Sequence, residues 1–348
     1  MSRRKLDMKQ RDSVIVFGAT GTVGAYTSLH LAESGFKVLA VGRRSSDNGF
    51  FADNGIDYCP VDIRHGSGFS ALPRTGVAAV VHLAGSMPSK MAGYSPREYI
   101  DSIVHGTLNV LEYCRTASVA RFVFSHSRAD SQHLMGSETL IPDDIQKGFP
   151  PTGDHSVYAI CKNAAVDLIE HYFHQYGLKR FVLRLPTIYA YHPDKYYRVN
   201  GQPKMKAYRY LIDRAMSGLP VEIWGDPKMR KEIVYVKDLS RMIECCLLCN
   251  SDGGAYNVGS GIGVTLEEQI RGIVEVFCTA PRISEIIYRP DKPNARQFVH
   301  DIAKARQELG YEPTYDYRAL LLDFQNEMHS QRFQGLWGTE EAALDTHT

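Results

Sequence analysis

Apolar residues fall along this chain in two alternating patterns. Short, largely unbroken runs occupy Val14 to Phe17, Phe36 to Val41, Ile56 to Val61, Val77 to Leu83, Arg121 to Phe124 and Lys179 to Leu185. Such runs read as strands buried on both faces, the pattern of a parallel sheet. Stretches of helical period lie between them. Val23 to Leu31 stops at Gly35, and Pro96 to Ala117 carries Ile100, Val104, Leu108 and Leu111 on one face. A third helix, from about Ser156 to His174, is capped by Asp154 or Ser156 and ended by Gly177. The alternation predicts an α/β fold over residues 13–190, a Rossmann-type doubly wound parallel sheet with helices on both faces.

After residue 190 the regularity fades. Ala190 to Pro203 is rich in Tyr, Pro and charge, suited either to a polar substrate lid or to exposed decoration. Shorter elements follow: a helix from Lys204 to Ser217, strands at Val221 to Trp224 and Ile233 to Val236, and a helix from Asp238 to Leu248. A further helix is capped by Thr265, with Glu267 and Glu268 in its first turn. These predict a smaller C-terminal α/β substrate lobe over 191–330 that contributes back to the first sheet. Residues 1–12 read as a flexible basic arm and 331–348 as a loose polar tail.

Composition narrows the class. The chain has 348 residues, 44% apolar and 23% charged, with a net charge of +1. That balance points to neither nucleic acid nor a membrane surface as a partner. No apolar run approaches the ~18 residues of a membrane span, and no signal-like apolar segment follows the basic start, so a cytoplasmic location is expected. Seven cysteines, an odd number in a long chain, make no disulfide framework. Cys246 and Cys249 form a C-x-x-C inside an apolar helix without a second pair or a histidine cluster, so they read as packing residues and no metal is expected.

Candidate chemistry begins at the first strand. Gly18, Gly21 and Gly24 follow it and open a helix. A turn of this kind bends tightly and lets a diphosphate approach the free N–H groups of the helix start, the signature of a dinucleotide site. The second strand ends in Gly42-Arg43-Arg44, where an acid would accept the ribose hydroxyls of NAD. Two guanidinium groups clamp a 2′-phosphate instead, so NADP(H) is expected over NAD(H), unless the arginines point into water. Asp62, past the third strand, is either an adenine contact or a solvated loop residue.

The pattern Y-x-x-x-K occurs at Tyr158/Lys162, Tyr191/Lys195 and Tyr288/Lys292. Pro193 and Pro290 break the helix in the last two, so only Tyr158 and Lys162 project together from one helix face. A lysine ammonium one turn away stabilises a phenolate and lowers the tyrosine from its free pKa of ~10. Ser127, at the end of the fifth strand, is placed to orient a substrate oxygen toward Tyr158. The trio suits proton transfer at a carbonyl or alcohol while hydride moves at its carbon.

With these features the chain resembles the extended short-chain dehydrogenase/reductases, most closely their nucleotide-sugar branch of NAD(P)-dependent epimerases, dehydratases and 4-ketoreductases. Gly18-Ala-Thr-Gly-Thr-Val-Gly24, Asp62-Ile63, His82-Leu-Ala-Gly85, Phe122-Val-Phe-Ser-His-Ser127 and Arg184-Leu-Pro-Thr-Ile-Tyr189 carry the likeness in the first domain. Trp224-Gly-Asp226, Arg230-Lys-Glu-Ile-Val-Tyr-Val-Lys-Asp238, Tyr256-Asn-Val-Gly259, Arg289-Pro290, Asp301-Ile-Ala-Lys304 and Leu309-Gly-Tyr-Glu-Pro313 carry it in the second. The resemblance implies catalytic Ser127, Tyr158 and Lys162. It implies cofactor contacts at Gly18, Thr20, Gly21, Thr22, Val23, Gly24, Arg43, Arg44, Asp62, Ile63, Leu83, Ala84, Gly85, Pro186 and Ile188 besides Tyr158 and Lys162. Substrate contacts fall on Ser86, Thr187, Trp224, Arg230 and Arg289, the last two as diphosphate ligands.

Departures shape the expectation. Arg128-Ala129 stands where 4,6-dehydratases of this branch carry Asp-Glu, which disfavours dehydration. Ile103 replaces an asparagine of the fourth helix, Thr187 another after the sixth strand, and His126 a serine. Residues 128–153 look lengthened and lack the family's V-Y-G. A nucleotide-sugar 4-ketoreductase and a 4-epimerase stand level. An NADPH-dependent ketone or aldehyde reductase for a non-sugar metabolite is the alternative, and a non-catalytic NADP(H)-binding regulator a third. Family analogy also implies a homodimer through the helices at 96–117 and 155–176.

Overall fold

The computed structural model describes residues 12–88, 94–137, 139–199, 201–279, 281 and 283–341. Of the expected N-terminal arm, residues 1–11 lie outside the described residues. In chain order the elements are β1 (Ser13–Phe17), α1 (Thr22–Glu33), β2 (Lys37–Gly42), α2 (Phe50–Asp53), β3 (Asp57–Pro60), β4 (Val77–His82), α3 (Pro96–Tyr99), α4 (Gly106–Thr116), β5 (Arg121–Ser127), α5 (Asp154–Tyr176) and β6 (Lys179–Leu185). Then come β7 (Ile188–Tyr189), β8 (Tyr196–Val199), β9 (Gln202–Met205), α6 (Ala207–Met216), β10 (Val221–Trp224), β11 (Arg230–Glu232), β12 (Val234–Tyr235), α7 (Val236–Leu248), β13 (Gly253–Asn257), β14 (Gly263–Thr265), α8 (Leu266–Phe277), β15 (Ile286–Arg289), α9 (Tyr317–Ser330) and α10 (Gln334–Trp337).

The central sheet has seven strands in the order β13-β6-β5-β4-β1-β2-β3, all parallel. This is the doubly wound arrangement expected from the alternating pattern. Its order reverses between β1 and β4, which opens a crevice at the C-terminal strand ends. Strand alternation sorts the core into two layers. Val14 and Val16 face a cluster with Leu29 of α1 and Leu239 and Ile243 of α7, while Ile15 and Phe17 face Val110 and Leu111 of α4 and Ile169 of α5. Cys246 packs in the first of these clusters.

Several local expectations change. The predicted helix at 96–117 is α3 and α4 joined by a π-turn, Ile100–His105. No side chain caps α5: Gly153 occupies the cap position, and the Ser156 hydroxyl instead donates back to the Thr152 carbonyl at 2.9 Å. The irregular stretch after residue 190 contains an antiparallel hairpin, β8 with β9, and this delays the start of α6 to Ala207. The seventh sheet strand, β13, comes from the C-terminal half; its opening Gly253-Gly254 carries no apolar signal. Thr265 caps α8 as read, and Glu268 reaches back to it to complete a capping box.

The tail is not loose as far as Glu341. Phe333 is 1% exposed, with its ring 4.5 Å from Tyr26 of α1 and 4.4 Å from Trp337. The Trp337 indole donates to the Thr20 carbonyl at 3.0 Å, and Asn48 donates to the Gly335 carbonyl at 3.2 Å. Two aromatic rings in an otherwise polar stretch make this segment a strap across the first domain. Phe333→Ala should therefore lower stability by about 3–5 kcal/mol, the usual cost of emptying a buried phenylalanine site. A chemical denaturation midpoint unchanged from wild type would show the strap to be dispensable.

Candidate active site

The crevice is built from the turn after β1. Gly18 leaves the strand at φ +84°, and a Cβ there would come within 2.8 Å of the Ala84 nitrogen. A Cβ on Gly24 would lie 2.1 Å from the Gly18 carbonyl oxygen, so helix and strand close only over glycine. Gly21 occupies the cap position of α1 and no side chain caps the helix, so the N–H groups around Thr22 and Val23 are kept for a ligand. Leu83, Ala84 and Gly85 form the opposite wall, with the Leu83 nitrogen bonded to the Phe17 carbonyl at 2.9 Å. Pro186 and Thr187 follow β6, and Ile188 opens β7, which pairs in parallel with β12. These donors and close backbone approaches fit a dinucleotide diphosphate.

The expected arginine pair is split. Arg44 donates to the Leu336 carbonyl of the strap at 2.9 Å, whereas Arg43 remains exposed with its nearest acid, Glu98, 4.0 Å away. Glu98 also accepts from Ser86 at 2.9 Å. Asp62 is gripped by Arg64 at 2.6 Å, and that hydrogen bond holds its carboxyl below the usual range. Ile63 is buried against Gly106, and its carbonyl accepts from Asn109 at 2.8 Å.

The trio is assembled. Ser127 ends β5 and its Oγ accepts from the Ala129 nitrogen at 3.2 Å. Tyr158, in the second turn of α5, lies beside Ser127 and packs edge-on to Tyr99 at 6.0 Å. Burial pushes its phenol up to about 12, against the opposing pull of the Ser127 hydroxyl. The expected lowering toward neutrality is therefore not supplied by the protein's own groups. Lys162 donates to the Ser125 carbonyl at 2.6 Å and lies 4.5 Å over the Phe124 ring. Burial lowers its ammonium from 10.5 to about 7. His82 lies beneath, donating to or accepting from Thr107 at 3.1 Å, and burial drives it down to about 3, so it is neutral.

The expected diphosphate arginines do not face this trio as free cations. Arg289 is neutralised by Glu222 and Asp291, each at 3.0 Å. Arg230 is exposed and donates to the Gly263 carbonyl at 3.0 Å. Trp224 is 50% exposed and donates to Glu222 at 2.6 Å. Lys231, next to Arg230 on β11, is half-buried with its ammonium 6.0 Å from the Phe298 ring. Arg128 stacks over the same ring at 5.0 Å. The choice of Arg230 came from the family resemblance; Lys231 carried no motif signal of its own, and its place beside Phe298 appears only in the fold.

Behind Ser127, His126 and Asp130 turn inward. The Asp130 carboxylate takes His126 at 3.0 Å and Arg184 at 3.1 Å. Burial raises the Asp130 pKa, but these partners win and hold it below the usual carboxylate range. Ile103 packs beside Gly85, an apolar group in place of a polar relay.

A family model described as the NAD dependent epimerase/dehydratase family matches residues 14–259. A UDP-glucose 4-epimerase of Rhizobium meliloti (strain 1021) is 28% identical over 342 residues, covering 94% of this chain and 99% of the relative. A dTDP-glucose 4,6-dehydratase of Xanthomonas campestris pv. campestris (strain B100) is 27% identical over 71% of this chain and 72% of its own. Among solved structures, the UDP-glucose 4-epimerase of Thermotoga maritima superposes with a TM-score of 0.70 at 23% identity, covering 91% of this chain and 99% of that one. A Bacillus cereus UDP-glucuronic acid 4-epimerase in complex with NAD has a TM-score of 0.66 at 16% identity, covering 97% and 100%.

Lys162 offers a direct test of the site's electrostatics. Its folded pKa of about 7 lies below the unfolded 10.5, so the unfolded state binds more protons between those values. The cost of burying the ammonium is therefore complete below pH 7 and fades as pH rises toward 10.5. Lys162→Met should unfold later than wild type at pH 6, by on the order of 1–3 kcal/mol, with the gain shrinking by pH 10. A difference that does not vary with pH would contradict the buried ammonium.

Proposed function

The chain belongs to the NAD dependent epimerase/dehydratase family of extended short-chain dehydrogenase/reductases, and on that premise we propose that it is a nucleotide-sugar 4-epimerase working with a retained NAD(H). The observation that carries the reading is the placement of Ser127 beside Tyr158, one helical turn from the buried Lys162, at the C-terminal edge of β5 beside the glycine turn. A nicotinamide held against the glycine turn would supply the hydride acceptor and donor at C4. Tyr158 takes the C4 hydroxyl proton in the oxidising half and returns it to the keto oxygen in the reducing half. Burial favours the neutral phenol, and the Ser127 hydroxyl opposes it in part by stabilising the phenolate when it forms, while Lys162, one turn on, is held at the site by the Ser125 carbonyl. Ser127 shares the same substrate oxygen and fixes its direction.

Dehydration finds no support in the residues around Ser127. The carboxylate that follows it, Asp130, is committed to His126 and Arg184 and stays ionised. A leaving hydroxyl gains no proton from it. We assign the diphosphate to Lys231 and to Arg296, an exposed cation close to Arg128, rather than to Arg230 and to Arg289, which Glu222 and Asp291 already hold. Exposed Ile100, Leu108 and Ile160, on the π-turn, α4 and α5, support a homodimer through that face. Among the described residues no helix is long and apolar enough to cross a membrane.

The second reading is an NADPH-dependent 4-ketoreductase, favoured by Arg43, whose side chain is 66% exposed at the end of β2. The two separate on the nucleotide released when purified protein is denatured. Stoichiometric NAD⁺ found by mass spectrometry supports the epimerase, while an empty protein that takes up NADPH supports the reductase. Tyr158→Phe should lower kcat by about 10²–10⁴ with nucleotide binding retained; full activity would remove Tyr158 from the chemistry. Arg43→Ala should weaken NADP(H) against NAD(H) by about five- to tenfold if Arg43 meets a 2′-phosphate. An unchanged ratio of dissociation constants would end the reductase argument.

A further inference from the structure

Next to Ser127 two cations, Arg128 and Lys231, approach one aromatic ring, and a third, Arg296, is close to Arg128. Arg128 lies 5.0 Å and Lys231 6.0 Å from Phe298, and Arg296 stands two residues before that ring. Among the described residues, no carboxylate pairs with Arg128, Lys231 or Arg296. The Arg128 guanidinium has only a 3.2 Å contact to the Met135 sulfur. Burial lowers Arg128 and Lys231, and each is pushed further down by a neighbouring cation, Arg296 on Arg128 and Arg128 on Lys231. Elsewhere at this edge charges are matched: Arg184 with Asp130, Arg289 with Glu222 and Asp291. Half-buried, mutually repelling cations are costly unless an anion completes the set.

Resting on the nucleotide-sugar reading above, we infer that Arg128 binds a carboxylate carried on C5 of the hexose, so that the preferred substrate is a nucleotide-activated uronate. Charge count supports this. A nucleoside diphosphosugar brings two negative charges, which Lys231 and Arg296 match, and a uronate brings a third, which Arg128 matches. Position supports it as well. The diphosphate hangs from C1, across the ring from the reacting C4. C5, which bears the carboxylate, is bonded to C4, and Arg128 is the chain neighbour of Ser127, the residue that holds the C4 oxygen. A guanidinium stacked on Phe298 keeps its edge free for two parallel N–H bonds to a planar carboxylate. Selection against a neutral hexose follows, because its hydroxymethyl group leaves the cation unpaired.

The test compares UDP-glucuronate, UDP-glucose and UDP with the full-length protein. Wild type should turn over UDP-glucuronate with kcat/KM at least 10²-fold above UDP-glucose. Arg128→Gln should lower kcat/KM for the uronate about 10²-fold, chiefly through KM, with the Kd for UDP within twofold of wild type; Arg128→Lys should recover part of the loss. Equal or better use of UDP-glucose by wild type overturns the inference without any variant. So does an Arg128→Gln that weakens UDP as much as the uronate, which would place Arg128 on the diphosphate. If none of the three probes binds, the nucleotide-sugar reading itself fails, and the inference with it.

Discussion

At the C-terminal edge of the sheet the Arg184 side chain ties four pieces of chain together. From β6 it donates to the Asp130 carboxylate at 3.1 Å, to the Asp143 carbonyl at 3.0 Å and to the Asn257 side chain at 2.9 Å. Asp130 lies in the tight turn that follows Ser127, Asp143 in the long connection to α5, and Asn257 at the end of β13. The ion pair is almost fully buried, so losing either partner strands a charge in a low-dielectric interior. The direction in which Ser127 and Arg128 leave β5 depends on that turn. The long 128–153 connection is thereby pinned to the sheet, and an isolated bridge between Ile141 and His300 anchors it further.

The adenosine side of the crevice obeys a different constraint. The strap of residues 333–337 takes the Thr20 carbonyl and the Arg44 guanidinium. Two arginines that form a phosphate clamp on paper are divided by a segment nearly 300 positions away in sequence. One becomes part of the scaffold, and only Arg43 keeps its charge for a ligand. Ser86 and Glu98 add an acid near the same place, so the local balance is closer to neutral than the dipeptide Arg43-Arg44 implies.

Much of the catalytic end was legible because its signals are local. The i, i+4 spacing of Tyr158 and Lys162 on a proline-free helix, and Ser127 at the end of an apolar run, follow from periodicity and need no knowledge of distant contacts. The environment of the same residues was not legible. The Tyr158 phenol stands at about 12 and the Lys162 ammonium at about 7 because both are buried, and burial is a sum over chain segments far apart in sequence. Arg230 and Lys231 make the same point on the substrate side. The family resemblance pointed to the arginine, yet β11 brings the lysine to the Phe298 ring.

From local patterns alone the chain specified its parallel sheet, the glycine turn that opens α1, and the serine–tyrosine–lysine trio, since hydrophobic period and backbone sterics act over a few residues. Tertiary structure alone decided which cations are free. Charges are spent or spared by partners that only folding brings near: Leu336 for Arg44, Glu222 and Asp291 for Arg289, and no carboxylate among the described residues for Arg128 and Lys231.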